Sequence, residues 1–175
     1  DIFDFLKERK INYNQIAMVD ASSIPKWDCP DFFEITDNKF TVGVENDNLG
    51  WVYESVTGYK SIFENYELEI DKYFCSSFVI FNKSHKVIFD KFKEKYMENL
   101  DEFLELQTTV RRGTCQTPLN YVVQMNNVDV NFLPIPYRLS HLPRKDLLHY
   151  NWQLKEDTTP FFIKYGYVWM FSGFD

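Results

Sequence analysis

In the stretch QIAMVDASS, Gln15–Ser23, an apolar run of strand length ends in an aspartate followed by small residues. Residues 15–20 predict a buried β-strand. Asp20 at its end has two interpretations. It either forms the turn that ends the strand, or it presents a carboxylate to a hard divalent cation that a diphosphate group also binds.

Helix and strand patterns alternate on both sides of this strand. We expect helices at residues 1–12, 49–63, 84–107 and 117–127, a helical turn at 31–35, and strands at 40–45, 74–81, 128–134 and near the end of the chain. Ser84 and Thr117 are the expected N-caps of the last two helices. The alternation predicts an α/β sheet with crossover helices, in a single domain over residues 1–175.

The charge and composition exclude several classes of protein. The chain has 26 acidic and 19 basic residues and a net charge of −7. A polyphosphate backbone would be repelled, which argues against a nucleic-acid partner, although a small phosphorylated ligand needs only a local basic cluster. No apolar run reaches the roughly 20 residues that span a bilayer.

The cysteines and histidines show no metal-ligand spacing. Cys29, Cys75 and Cys115 are odd in number and far apart, without a Cys-x-x-Cys pair. A zinc site or a disulfide framework is therefore not expected, and a reduced, cytoplasmic compartment fits the sequence better. The three histidines do not cluster in the sequence either.

Two arginines stand before the helix expected at residues 117–127, in the segment RRGTCQTPLN, 111–120. Arginines and helix N-termini both bind phosphate groups, so Arg111 and Arg112 are candidate ligands for an anionic group. The alternative is a solvated arginine pair on a loop.

Polar and aromatic residues in apolar surroundings give two further candidate features. Hydroxyl groups in the strand segment CSS, 75–77, need hydrogen-bond partners, which a sugar or the neighbouring strands would supply. Trp51 follows a glycine at a loop-to-helix junction. It is a candidate for packing against a sugar ring, and core packing is the alternative.

Several blocks occur in an order that resembles a known family. These blocks are MVDASSIPKWDCPDFFE, YFCSSFVIFNKSHK, TCQTPLNYVVQ, VNFLPIPYRLSHL and YVWMFSGF. They resemble the nucleotide-diphospho-sugar transferases of the GT-A fold, and especially the glycogenin/galactosyltransferase-like group with its short bacterial and viral relatives. The likeness runs from about residue 13 to the end of the chain.

The resemblance implies a fold and an activity. The fold would be a mixed, mostly parallel sheet flanked by helices, incomplete at its N-terminus because the family's nucleotide-binding strand–loop–helix unit has no counterpart here. The activity would be transfer of a hexose from a nucleoside diphosphate sugar, most simply a UDP-sugar, to a hydroxyl of a saccharide or protein acceptor, with retention of configuration.

The resemblance also implies a metal site with one ligand replaced. Asp20 matches the first aspartate of the family's Asp-x-Asp motif, and Ser22 occupies the position of the second. Mn²⁺ or Mg²⁺ would bind at Asp20, but a serine is a poor substitute for a carboxylate. Cys115 and Met170 also occupy places where relatives carry an aspartate and a metal-binding histidine.

Further site residues follow from the matched blocks. Gln116 keeps half of the family's Asp-Gln pair and is the expected catalytic residue. Donor contacts are expected from Asp20, Ser22, Ser76, Ser77, Asn120, Arg111 and Arg112, and an acceptor contact from Trp51. Without a complete metal site, Arg111, Arg112, Lys60 or Lys164 would neutralise the diphosphate.

Three hypotheses of function stay open on the sequence. The first is a GT-A-type hexosyltransferase. The second is a non-catalytic module with the same fold and a degraded site, which the replaced ligands favour. The third is an unrelated α/β domain in which the ordered blocks are coincidental.

Overall fold

A computed structural model describes residues 1–45, 49–134, 137, 139–141 and 166–171. Five α-helices lie in these ranges: α1 Ile2–Glu8, α2 Leu49–Tyr59, α3 Lys86–Glu98, α4 Leu100–Thr109 and α5 Gln116–Met125. Short 3-10 turns occupy Phe32–Ile35, Lys60–Phe63, Ile70–Lys72 and Lys83–His85. No helix in these ranges is both long and apolar enough to cross a membrane.

The strands form two mixed sheets. In chain order they are β1 Gln15–Val19, β2 Ser23–Pro25, β3 Phe40–Val44, β4 Phe74–Asn82, β5 Val130–Phe132, β6 Leu139–His141 and β7 Val168–Met170. The larger sheet has the order β1-β4-β3-β5, and the smaller has the order β2-β7-β6. The expected α/β class, with helices packed on a mixed sheet, is confirmed.

The prediction of a mostly parallel sheet is wrong for the described strands. β4 runs antiparallel to both β1 and β3, and only the β3–β5 pair of the larger sheet is parallel. In the smaller sheet β2–β7 is antiparallel and β6–β7 is parallel. Helix–strand alternation predicts crossover connections between parallel strands. It does not show that a central strand such as β4 runs antiparallel to both of its neighbours.

β4 is the centre of the core because both of its faces are covered. Val79 and Phe81 point into the larger apolar cluster with helices α2, α3 and α5. Phe78 and Ile80 point to the other face, where they meet Leu133 and Val168. Burial on both faces explains why the sequence FVIF, 78–81, is continuously apolar rather than alternating.

The helix boundaries differ from the sequence prediction. The first helix ends at Glu8 instead of residue 12, and the second ends at Tyr59 and continues as the 3-10 turn Lys60–Phe63. The helix expected over 84–107 is two helices that break at Asn99, whose backbone leaves the helical region and whose side chain donates to the Lys95 carbonyl. Asn82 caps the 3-10 turn before α3 through the Ser84 N–H, so Ser84 itself is not the cap. α5 begins at Gln116 with Cys115 at the N-cap position, so the expected N-cap Thr117 is wrong: Thr117 and Pro118 both lie within the first turn.

Candidate functional site

Asp20 ends β1 and starts a turn at the same time. Its N–H donates to the Ser77 carbonyl at 2.8 Å, which closes the β1–β4 pairing. Its Oδ1 accepts hydrogen bonds from the Ser22 N–H at 2.8 Å and from the Ser22 hydroxyl at 2.6 Å. These two bonds, the hydroxyl first, lower the pKa of Asp20. The exposed carboxylate is therefore held ionised and oriented by Ser22.

The segment Ser76–Ser77 lies in a bulge of β4. The pairing with β3 passes from Val42↔Val79 directly to Gly43↔Cys75, so residues 76, 77 and 78 of β4 have no partner in β3. Both serines are partly exposed. Bulges of this kind redirect side chains and are common beside functional sites. The polar residues of an otherwise apolar strand thus mark a local break in the sheet.

A row of three amides on α5 bonds the neighbouring backbone. Gln116, Asn120 and Gln124 follow one another at i, i+4 spacing, and hence lie on one face of the helix. Gln116 Oε1 accepts from the Ser76 N–H at 3.0 Å. Asn120 pairs with both the N–H and the carbonyl of Phe74 at 2.9 Å. Gln124 pairs in the same way with Glu69, at 2.9 and 3.0 Å.

The amide row continues the edge of β4 where β1 stops. Because Glu45 N–H donates to the Tyr73 carbonyl, the alternation of an antiparallel pair turns the N–H and carbonyl of Phe74 away from β3. β1 pairs with β4 only as far as Asp20 and Ser77. Beyond that point, side chains of α5 take the hydrogen bonds that a neighbouring strand would otherwise supply.

A buried chain of hydroxyl groups lies behind Gln116. Thr117 Oγ1 is 2.5 Å from Ser55 Oγ and 2.7 Å from the Tyr73 hydroxyl. The Tyr73 hydroxyl also accepts from Gln116 Nε2 at 3.4 Å. Burial raises the pKa of Tyr73 to about 12. This tyrosine is therefore a neutral hydrogen-bonding group near pH 7, and it fixes the orientation of the Gln116 amide.

Gly113 is required by this chain of hydroxyls. Its φ of +57° lies in the left-handed region, and a Cβ built on it would stand 2.2 Å from Thr117 Oγ1 and 2.3 Å from Ser55 Oγ. A glycine is the residue that satisfies both constraints. The RRG segment thus brings the start of α5 close to α2.

The smaller sheet brings the end of the described chain to Ser22. The Phe171 N–H donates to the Ser22 carbonyl at 2.8 Å, and Met170 pairs with Ser23. The Asp20 N–H donates to the Ser77 carbonyl, and the preceding Ser76 has its Oγ 4.0 Å from the exposed Cys115 Sγ. We call Asp20, Ser22, Ser76, Ser77 and Cys115 the strand-end cluster.

Of the residues predicted to form the site, the structure brings Asp20, Ser22, Ser76, Ser77 and Gln116 into one connected set. Asn120 adjoins this set through the Gln116 carbonyl, but it is fully buried and its amide is engaged with that carbonyl and with Phe74. A direct contact of Asn120 with a donor sugar would require these bonds to break. The geometry gives it a structural role instead.

The cations proposed to bind a diphosphate have protein partners. Arg112 forms an ion pair with Glu54, and Arg111 donates from Nε to the Thr108 carbonyl at 2.7 Å. Lys60 pairs with Glu67. Lys164 lies outside the described residues. A diphosphate would have to compete with Glu54 for Arg112, while Arg111 keeps its exposed guanidinium end.

Trp51 lies in the first half of α2 and packs, partly buried, against the larger core cluster. This is the core-packing alternative that the sequence left open. The structure does not test its predicted contact with an acceptor, which stays a prediction.

The donor set around Asp20 makes an incomplete site for Mn²⁺ or Mg²⁺. Within the described ranges, no three His, Cys, Asp or Glu side chains come together as metal ligands. Asp20 supplies one carboxylate whose Oδ1 already accepts two bonds, and Ser22 directs its hydroxyl proton at that same oxygen. The thioether of Met170 is a soft group that hard cations do not favour. These residues alone do not fit a protein-bound divalent cation, and no chemical step is assigned to one.

Sequence reasoning missed the hydroxyl chain of Ser55, Tyr73 and Thr117 and the role of Gln124. The spacing of Gln116, Asn120 and Gln124 was a visible signal for an amide row. No local sequence pattern indicates that the hydroxyl of Ser55 contacts that of Thr117, which is more than 60 residues away in the chain.

Comparisons with known proteins return no match to a protein-family model, to a curated protein or to a solved structure.

Proposed function

We propose that this chain is a sugar-nucleotide-dependent glycosyltransferase domain of GT-A type, which transfers a hexose to a hydroxyl of a saccharide or protein acceptor. The observation that carries the proposal is the strand-end cluster. Its members lie in the turn after β1, in the bulge of β4 and immediately before α5, and hydrogen bonds or close contacts join them. The order of these elements along the chain is the one that the resemblance implies.

The cluster suits a ligand with hydroxyl groups. Ser76 and Ser77 are partly exposed, and each hydroxyl both donates and accepts. Asp20 is an exposed, oriented carboxylate, which accepts hydrogen bonds from ribose or hexose hydroxyls without any metal. The exposed start of α5 adds Cys115 at the far side of the bulge.

The proposed reaction needs positioning more than a strong nucleophile. The bond between the hexose C1 and the diphosphate oxygen breaks, and a bond between C1 and the acceptor oxygen forms on the same face. The acceptor hydroxyl proton passes to the departing diphosphate oxygen. Gln116 acts here as a positioning residue, since its Oε1 holds the Ser76 N–H and so fixes the bulge.

The leaving group's charge requires cations that are free to move towards it. Arg111 has an exposed side chain on the loop before α5. Arg112 becomes available if a diphosphate displaces Glu54, because both partners of that pair are partly exposed and exposed ion pairs are weak. We therefore assign leaving-group stabilisation to this arginine pair.

The second candidate function is a non-catalytic binding module of the same fold. The specific observation in its favour is that Ser22 replaces a carboxylate and is bonded to Asp20. Such a module would bind a sugar or sugar nucleotide through the same cluster but would not release the nucleoside diphosphate. The free cysteines are consistent with a reduced compartment for either function, and a cytoplasmic location is part of the proposal.

Isothermal titration calorimetry with UDP-glucose and UDP-galactose, each with and without Mn²⁺, tests the proposal. We expect binding, and we expect Asp20→Asn to weaken it at least about tenfold, or 1.4 kcal/mol. Asp31→Asn is the matched control, because Asp31 Oδ1 accepts from the Phe33 N–H in the same turn geometry.

Outcomes separate the two candidate functions. Binding together with acceptor-dependent UDP release supports the transferase. Binding without UDP release over a panel of saccharide acceptors supports the module. An absence of binding with and without Mn²⁺, or equal losses for Asp20→Asn and Asp31→Asn, would overturn the proposed site.

A further inference from the structure

A cavity of about 300 Å³ lies between α3, α4 and the loop before α5. Its apolar wall is formed by Phe92, Tyr96 and Met97 of α3. Gln107 of α4, Thr114 and Cys115 of the loop and the exposed Lys93 complete the lining. The cavity is thus an open, mostly apolar depression with a basic group among its lining residues.

Contacts with α4 fix the orientation of Tyr96 in the aromatic wall. Tyr96 stacks on Phe103 with ring centroids 4.6 Å apart, and Phe103 is fully buried in the core. Gln107 Nε2 donates to the Tyr96 hydroxyl at 2.8 Å. Met97 is 59% exposed and lines the cavity. A preformed wall favours binding, because little side-chain freedom is lost.

Cys115 connects this cavity to the strand-end cluster. It lines the cavity, and its Sγ is also 4.0 Å from Ser76 Oγ in the bulge of β4. A molecule that occupies the cavity therefore extends directly towards Ser76. Two other cavities, one near α1 and one at the C-terminal end of α5, differ in this respect, because no residue of the strand-end cluster lines them.

The size and chemistry of the cavity select an occupant. A volume near 300 Å³ is at the lower end of small-molecule pockets, so one aromatic ring or a short alkyl chain fits better than a second saccharide. Aromatic rings and a thioether pack well against such a group. A sugar attached to it would leave the cavity on the side of Cys115 and Ser76.

We propose that this cavity binds the apolar aglycone of the acceptor, an aryl or short alkyl group linked to the sugar that receives the hexose. The inference rests on the proposed function, since it names the class of acceptor for the same site. Lys93 among the lining residues favours acceptors that carry a negative group near the aglycone.

The test uses the exposed thiol of Cys115 as a reporter. The purified chain with Cys29→Ser is alkylated with iodoacetamide, and the rate at Cys115 is followed by mass spectrometry; Cys75 is buried. We expect phenyl glucoside to slow alkylation at least about threefold at saturation, whereas methyl glucoside at the same concentration has little effect. No UDP-sugar is present in this experiment.

Two variants test the location of binding. Met97→Glu places a charge on the cavity wall and should abolish protection by phenyl glucoside. Leu104→Glu is the matched control, since Leu104 is 49% exposed on α4 and does not line the cavity. Circular dichroism and thermal unfolding establish that both variants fold.

Three results would overturn the inference. They are equal protection by methyl and phenyl glucosides, protection that survives Met97→Glu, and a dimer that Met97→Glu converts to a monomer in sedimentation, which would assign the cavity to a second copy of the chain. If UDP-sugars fail to bind while phenyl glucoside still protects Cys115, the proposed function fails and the aglycone cavity remains.

Discussion

At the scale of single residues, Ser22 is the side chain on which the chemistry of the strand-end cluster depends. A carboxylate at this position would repel Asp20 and would require a cation between the two groups. The serine instead donates to Asp20, so the turn is stable without a cation. Asp20 is therefore a turn-forming aspartate, the first interpretation of the sequence, and its carboxylate is exposed at a strand end.

Ser22→Ala should raise the pKa of Asp20 towards its ordinary value of 3.8, because the hydroxyl bond is the largest cause of the lowered pKa. A carboxyl whose pKa is lower in the folded state stabilises the fold above its unfolded pKa and loses that contribution as the pH falls. The variant should therefore lose less stability on acidification. Carboxyl ¹³C chemical shifts of Asp20 between pH 2 and 6 measure the effect.

An unchanged midpoint for Asp20 would show that the backbone bond alone sets its pKa.

At the scale of elements, the spacing of the amides along helix α5 matches the spacing of residues along the edge of β4. Four residues of α-helix advance about 6 Å, and two residues of a strand advance about 6.6 Å. Gln116 and Asn120 can therefore bond Ser76 and Phe74, which are also two residues apart, without distortion of either element. The match of the two repeats explains why amides occur at this spacing in QTPLN.

Asn120→Ala should destabilise the fold by about 2–4 kcal/mol, because it leaves the buried N–H and carbonyl of Phe74 without partners. Gln124→Ala removes the same two-bond arrangement at Glu69, where the bonds are exposed and water replaces them. We expect it to lose less than about 1 kcal/mol. Urea unfolding followed by circular dichroism measures both values.

Similar losses for Asn120→Ala and Gln124→Ala would mean that burial of the Phe74 backbone is not what makes the first amide important.

The elements also show how far the sequence could predict the fold. Strands β1, β3, β4 and β5 lie where the patterns predict them, because each is a compact apolar run between turn residues. The break at Asn99 was missed, since the apolar stripe of Tyr96, Leu100 and Phe103 continues across it. The polar CSS segment was recognised as unusual. Its cause, a bulge held by an amide from a helix 40 residues later, depends on tertiary contacts.

At the scale of the whole molecule, the α/β class followed from local patterns, and the strand directions did not. Direction is set by which strands become neighbours. β4 lies between β1 and β3, which both precede it in the chain and are not consecutive with each other, so local patterns do not predict this order. The candidate site likewise has parts that the sequence predicts and parts that it does not. Asp20, Ser22 and the serines of β4 could be named from the sequence, whereas the burial of Asn120 and the pairing of Arg112 with Glu54 required the assembled structure.

The larger sheet also has an exposed apolar edge. Among the described residues β1 pairs with β4 alone, and Met18 and Val19 are 40% and 36% exposed on opposite faces of the strand. Unprotected edges of this kind promote association between chains. Val19→Lys should therefore raise the monomeric fraction at high protein concentration, as measured by sedimentation velocity.

Val87→Lys is the control for charge alone, since Val87 is 51% exposed on the surface of α3 rather than on a sheet edge. Equal effects of the two lysines would assign any change to net charge and not to the edge of β1.

The amide row has a consequence for the order in which the chain assembles. The edge of β4 at Phe74 and Ser76 can be completed only after a helix 40 to 46 residues further along has docked. Until then these backbone amides remain open to deuterium exchange, even if β3 and β4 have already paired. The bulge that carries the serines therefore belongs to the same cooperative unit as α5, and a local opening of that helix would loosen the candidate site while the rest of the sheet stays closed.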